Sequence, residues 1–168
     1  MSTVFLKVNN MEYKQLLDVS NLIVASIARS ITRMGLSGDL IIAQVATEME
    51  SDDIQKTIAH SGLEVTGTDV DSVLNSFNMQ MTKLGAVQKI DIQKTSDTEV
   101  IIRLSDCGLI PATQLIRGNN PTLIPPCAWM ALLSSSVEKN TENTSVISAC
   151  QWKADSNTCE FTVLMEAK

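Results

Sequence analysis

An order of periodicities constrains this fold more than any single motif. Residues 87–93 and 98–104 both alternate apolar and polar side chains around a turn at 94–97. Ile90 and Ile92 share one face of the first, and Val100 and Ile102 share one face of the second, the pattern of an antiparallel hairpin. Residues 145–152 and 158–165 make a second such pair at the C-terminal end. Between the pairs, Pro125-Pro126 opens a helix, where the missing N–H of proline costs nothing. Helices, hairpin, helix, hairpin in that order predict an α+β domain: N-terminal helices followed by a four-stranded antiparallel sheet packed on helices. The two hairpins then flank a helix that carries Cys127 in its opening turn.

Ahead of the hairpins the period is helical. Between residues 13 and 34, Leu16, Val19, Ile23, Ile27, Ile31 and Met34 recur every three or four positions, which predicts a long amphipathic helix. Leu17, Val24 and Ala28 widen the stripe enough to bury it against two neighbours or a second copy of the chain. A homodimer through the 13–34 helix is therefore expected. Residues 3–8 read as a short strand, and residues 40–49 as a helix capped by Asp39. Ser51-Asp52-Asp53 restarts a short helix that ends near Gly62. Thr66 to Asp69 form a turn and cap for a helix over 70–84, with Val73, Leu74, Phe77, Met81 and Leu84 on one side and Gly85 as its stop. Residues 105–124, with Gly108, Pro111, Gly118 and Pro121, read as a long irregular loop around a brief apolar piece at 112–116. Such loops are often functional, and this one reads as a lid.

At 168 residues the chain has the length of one domain. Three Phe, two Trp and one Tyr leave the core to Ile, Leu, Val, Met and Ala. A net charge of −6 with no Lys/Arg cluster argues against a nucleic-acid partner. No apolar run approaches the ~18 residues of a membrane span. The stretch MSTVFLKVNN is too short in apolar residues, and too soon interrupted by Lys7, for a signal peptide. The expectation is a soluble, cytoplasmic protein whose four cysteines are thiols or metal ligands rather than structural disulfides.

Strand alternation puts Cys150 on a face with Val146 and Trp152, and Cys159 on a face with Phe161, Val163 and Met165. With the turn centred between Ala154 and Asp155, Cys150 lies directly opposite Cys159. Cys127 sits at a helix start, where free N–H groups and the dipole favour a thiolate. Three readings stand side by side. The thiols are small buried apolar residues; or Cys127, Cys150 and Cys159 bind zinc with Cys107, Asp155 or water as fourth ligand; or Cys150 and Cys159 form a disulfide or redox pair.

The helix at 70–84, the hairpin at 87–104, the Cys127 helix and the ending Cys150-x8-Cys159-x-Phe161 together resemble the 4-vinyl reductase domain, whose members are also described as predicted hydrocarbon-binding proteins. The resemblance covers roughly residues 70–166. The stretch CQWKADSNTCEF fits a family ending of Cys, a short turn with Gly or Asp, Cys, any residue, Phe. It implies an α+β fold shared with small subunits of transport-protein-particle tethering complexes, a hydrophobic pocket between helices and sheet, and frequent dimers. In aromatic-sensing members zinc is held by three Cys and one Glu. Cys127, Cys150 and Cys159 match the cysteines, while the Glu position is Ile147 here. The glycine that usually follows the first Cys in its helix is also missing; the run at 131–136 is Ala-Leu-Leu-Ser-Ser-Ser.

No catalytic set is legible. His60 is the sole histidine and reads as an exposed or capping residue. There is no nucleophile elbow, GxGxxG or phosphate loop. Glu48, Glu50, Asp52 and Asp53 read as a solvated helix end. Phe77, Met81, Trp129, Met130, Trp152 and Phe161 are the candidate ligand-binding residues, with Met79 and Met165 as pliable additions and Arg103 and Gln114 as polar groups. The expected function is non-catalytic binding of a small apolar or aromatic ligand between the 70–84 helix, the Cys127 helix and the sheet, with zinc or packing tying helix to hairpin. The alternatives are a dimeric tethering scaffold without ligand, and an accessory to tetrapyrrole or related ring chemistry.

Overall fold

The computed structural model describes residues 2–118 and 123–168, with side chains from Asp18 onward. Four helices come first: α1 (Ser2–Arg33), α2 (Gly38–Met49), α3 (Asp52–Ser61) and α4 (Val70–Lys83). The hairpin β1 (Lys89–Lys94) and β2 (Glu99–Ser105) follows, then α5 (Ile110–Arg117), α6 (Ala128–Asn140) and the hairpin β3 (Asn143–Lys153) and β4 (Thr158–Ala167). The protein is an α+β fold with one four-stranded antiparallel sheet packed against helices, in the order β1-β2-β4-β3.

Local chemistry sets the helix ends. Asp69 accepts from the Ser72 backbone N–H at 2.8 Å, and the Ser72 hydroxyl accepts from the Asp69 N–H at 3.1 Å. This reciprocal cap starts α4. Gly62, at φ +74°, closes α3 in the left-handed conformation that suits glycine. The helix expected from Asp39 begins instead at Gly38 behind Ser37.

Two expected elements are corrected. Residues 3–8 are not a strand; their backbone belongs to α1. A six-residue strand needs a ladder partner, whereas a helix already nucleated downstream extends at one hydrogen bond per residue. The expected irregular lid at 105–124 contains α5, with Pro111 in its first turn and Ile110, Ala112, Thr113, Ile116 and Arg117 buried. That segment is a packed element against α1. Residues 119–122 of the expected lid, and the side chains of Leu16 and Leu17 in the expected stripe, lie outside the described residues.

The core lies between the sheet and two helices. Ile102, Phe161 and Val163 on the inner sheet face meet Phe77 and Met81 of α4 and Met130, Leu133 and Val137 of α6, all fully buried. Helix α6 is buried on every side from Ala131 to Val137, because α2 covers the face turned away from the sheet. That position explains the small residues of its middle. The Ser134 and Ser145 hydroxyls hydrogen-bond at 2.8 Å, so a polar pair bridges helix and sheet inside the core.

Helix α1 turns its small face inward. Asn21, Ala25 and Ala28 are buried, and the two alanines pack on Ala112 and Ile116 of α5. Val19, Leu22, Ile23, Val24 and Ile27 stay exposed. Among the described residues no helix is long and apolar enough to cross a membrane.

Candidate functional site

Two features stand out: a thiol cluster under the second hairpin, and an apolar groove between α1, α2 and α6.

The hairpin register decides which sulfurs meet. Cys150 pairs across the sheet with Phe161, and Cys159 with Trp152, so the two cysteines are diagonal neighbours rather than directly opposite. The turn sits one residue later than the alternation suggested. A bulge between Ile147 and Ala149 changes the face of the residues beyond it. One extra residue shifts the side-chain parity, so Ile147 and Cys150, three apart, both face inward. Val146, expected on the cysteine face, is 44% exposed.

Arg117, the last residue of α5, points into this cluster. It is only 5% exposed, yet among the described residues no carboxylate pairs with it. Its Nη2 donates to the Cys150 sulfur at 3.2 Å and its Nε to the Leu123 carbonyl at 3.4 Å, while the guanidinium carbon lies 5.7 Å from the centre of the Trp152 ring. Its Nη1 is buried without a partner among the described residues. A buried cation without an anion is costly, and here the thiol pair is the group in reach.

The thiols respond accordingly. Cys159 is drawn down to about 7, first because it accepts from the Cys150 thiol, then through Arg117 and Thr113, against the opposing effect of burial. Cys150 is held well above the usual thiol range, because it donates to Cys159 and is buried. Cys127 is pushed up to about 12, chiefly by burial. This corrects the expectation of a helix-start thiolate. Cys127 is the residue that caps α6, and the nearby N–H groups of Trp129 and Met130 do not offset its desolvation. Cys107 is also raised by burial, and all four cysteines belong to one buried cluster. Among the described residues no group of three or more His, Cys, Asp or Glu side chains is placed to hold a metal ion. The positive charge beside these sulfurs is the Arg117 guanidinium.

This arrangement sets a pH dependence. Between pH ~7 and ~9, Cys159 is deprotonated in the folded protein and protonated in the unfolded chain, so stability rises with pH by about 1 kcal/mol per unit. Above pH ~9 the unfolded chain ionises Cys127 and Cys150 while the fold keeps their protons, and stability falls. Urea midpoints under reductant should therefore show wild type gaining on Cys159→Ser from pH 7 to 9. A difference independent of pH would remove the thiolate from Cys159.

The expected ligand-binding residues are mostly core. Phe77, Met81, Met130 and Phe161 are fully buried in one cluster, with Trp129 and Trp152 half-buried against it. Met165 is buried and Met79 is 67% exposed. Arg103 lies on the outer sheet face, bonded to Asp91, Gln93 and Glu160. Gln114 and His60 are exposed.

None of the six expected residues lines the groove. Val24, Ile27 and Ile31 of α1 form one wall, Ile41 and Val45 of α2 the other, and Cys127, Ala128 and Ala131 the floor. The recess holds about 220 Å³ and opens to the surface. The apolar stripe read from the sequence holds Val24, Ile27, Ala28 and Ile31 of this lining, but it does not point to α2 as the partner wall, and Arg117 is absent from the expected residues. The signal for Arg117 was the spacing Ile110, Thr113, Arg117, one helical face ending in a cation.

Compared with protein-family models, curated proteins and solved structures, the chain matches none.

Proposed function

We propose that this protein binds a small apolar molecule, without catalysis, in the groove between α1, α2 and α6. One observation carries the reading: a recess of about 220 Å³, open on one side, with walls of Val, Ile and Ala side chains. Apolar surface left in water is unfavourable by roughly 25 cal/mol per Å², so an apolar occupant gains by covering it. The volume suits a fragment-sized ligand rather than a large one. This site differs from the one expected between helices and sheet, where the aromatic and methionine side chains pack on each other. The resemblance to hydrocarbon-binding domains points to the same ligand class.

A second reading has its own observation. Val19, Leu22, Ile23, Val24 and Ile27 form a continuous exposed stripe on α1, each 42–57% accessible. A second copy laid along that stripe would cover both stripe and groove mouth.

Native mass spectrometry on freshly purified protein separates the two. The binder is expected as a chain with added apolar mass, lost in Val45→Asp, which places a charge on the groove wall. The scaffold is expected as an empty dimer that Ile23→Asp with Ile27→Asp converts to monomer. An empty monomer that does not bind a naphthalene-type probe would overturn both. Metal analysis of the same sample tests the zinc implied by the resemblance: stoichiometric zinc lost in Cys127→Ser would require the four sulfurs to regroup.

A further inference from the structure

The cluster beneath the second hairpin has a composition that packing alone does not explain. A buried guanidinium lies against the Cys150 thiol, one of its nitrogens has no partner among the described residues, and Cys159 stands diagonally across the hairpin from Cys150. An apolar side chain would fill the same space without the cost of burying a charge. We propose that Cys150, Cys159 and Arg117 form a peroxide-reactive dithiol site, in which a hydroperoxide oxidises the two cysteines to a reversible disulfide.

The chemistry balances with those groups. The Cys159 sulfur attacks the nearer peroxide oxygen; an S–O bond forms and the O–O bond breaks. The sulfur gives up two electrons and becomes a sulfenic acid, and the distal oxygen leaves as alcohol or water after taking a proton. Cys150 then attacks the Cys159 sulfur; the S–S bond forms and hydroxide leaves as water with the Cys150 proton. One hydroperoxide is reduced as two thiols are oxidised. Arg117 holds Cys150 through Nη2, and its Nη1, without a partner among the described residues, is the donor available to the charge that develops on the leaving oxygen. A surface recess lined by Ile124, Ser148, Ala149, Cys150, Gln151, Glu160 and Thr162 reaches Cys150, and that is the side from which a molecule the size of hydrogen peroxide would enter.

The register shapes the product. Diagonal partners on antiparallel strands stand about 7–8 Å apart, and a disulfide spans about 7 Å at most between Cα atoms. Closing the bond requires β3 to shift, and the bulge between Ile147 and Ala149, next to Cys150, gives it slack. The bond is then strained and readily reduced, as a reversible centre requires. Oxidation also removes the sulfur partner of Arg117, so the end of α5 reports the redox state.

The test uses the full chain, fully reduced, with hydrogen peroxide as the probe. Timed samples are alkylated, and each cysteine is followed by peptide mass spectrometry. The expected result is a Cys150–Cys159 cross-linked peptide that forms about tenfold faster than Cys107 or Cys127 loses its thiol. A thiol reductant should reverse it. In Cys150→Ser, dimedone should trap the sulfenic acid on Cys159. Arg117→Met should slow Cys159 oxidation about tenfold with Arg117→Lys recovering part of the rate. The wild-type ranking of the four cysteines decides the matter even if a variant fails to fold. Cys150 and Cys159 reacting no faster than Cys107 and Cys127, or Arg117→Met leaving the rate unchanged in a folded protein, would overturn the proposal.

Discussion

Phe161→Ala is expected to destabilise the fold by about 3–5 kcal/mol, the range for removing a buried phenylalanine. The ring is fully buried on the central strand β4, between Ile102 on β2 and Cys150 on β3 in the sheet register. Above it stand α4 and α6, which are themselves packed together, so the cavity has little freedom to collapse. Against a total of roughly 5–15 kcal/mol, such a loss leaves the variant near its unfolding midpoint under mild denaturant. Urea unfolding measures it. The result also tests the role of Phe161. A residue lining a ligand pocket faces a solvated space, and its truncation costs binding more than stability. A loss under ~1 kcal/mol with weakened ligand retention would return Phe161 from core to binding site.

Gly38→Ala is expected to cost about 3 kcal/mol, the upper end of ordinary overpacking. A Cβ at Gly38 would stand 1.8 Å from the Ile124 carbonyl oxygen and 2.7 Å from its carbon. Both neighbours are backbone, so no rotamer change relieves the clash; the first turn of α2 or the segment leading to Cys127 must move. Either movement distorts the groove, because Ile41 and Val45 on α2 face Cys127 and Ala128 across it. Ligand retention should fall together with stability. Gly108→Ala is the control, since its Cβ would meet nothing nearer than the Ala86 carbonyl at 3.8 Å. That variant should be neutral or slightly stabilising, through the smaller entropy of its unfolded chain. Equal effects of the two substitutions would mean that α2 does not rest on the 124–127 segment.

Much of the fold was legible because each element carries its own signal. The alternation around residues 94–97 and the Asp69–Ser72 cap are local, and both appear where the pattern puts them. Residues 110–117 were harder. Their helix is short, and its flanking Gly and Pro residues speak for a loop; packing on Ala25 and Ala28 of α1 supplies what local propensity lacks. The candidate site was legible only as a convergence. That Cys127, Cys150 and Cys159 share a neighbourhood is expected from helix start and hairpin, and all three are buried in one cluster. Which sulfur faces which depends on where the turn falls, and which residues of β3 share the cysteine face depends on a single-residue bulge; alternation is blind to both.

The apolar stripe of α1 shows the same division. Its period is plain in the sequence, and the side on which the rest of the molecule packs is not. The buried face turned out to be Asn21, Ala25 and Ala28, whose small side chains let α5 approach closely, and Ile23 and Ile27 were left outside. What the amino-acid order determined by itself was the class of fold, the Asp69 cap and the two hairpins, since these follow from local patterns along the chain. Only the tertiary structure decided the sheet order, the diagonal of the thiols, the groove between α1 and α2, and the burial of Arg117. Those depend on residues far apart in the chain competing for the same space, and the winner is set by total packing rather than by any local pattern.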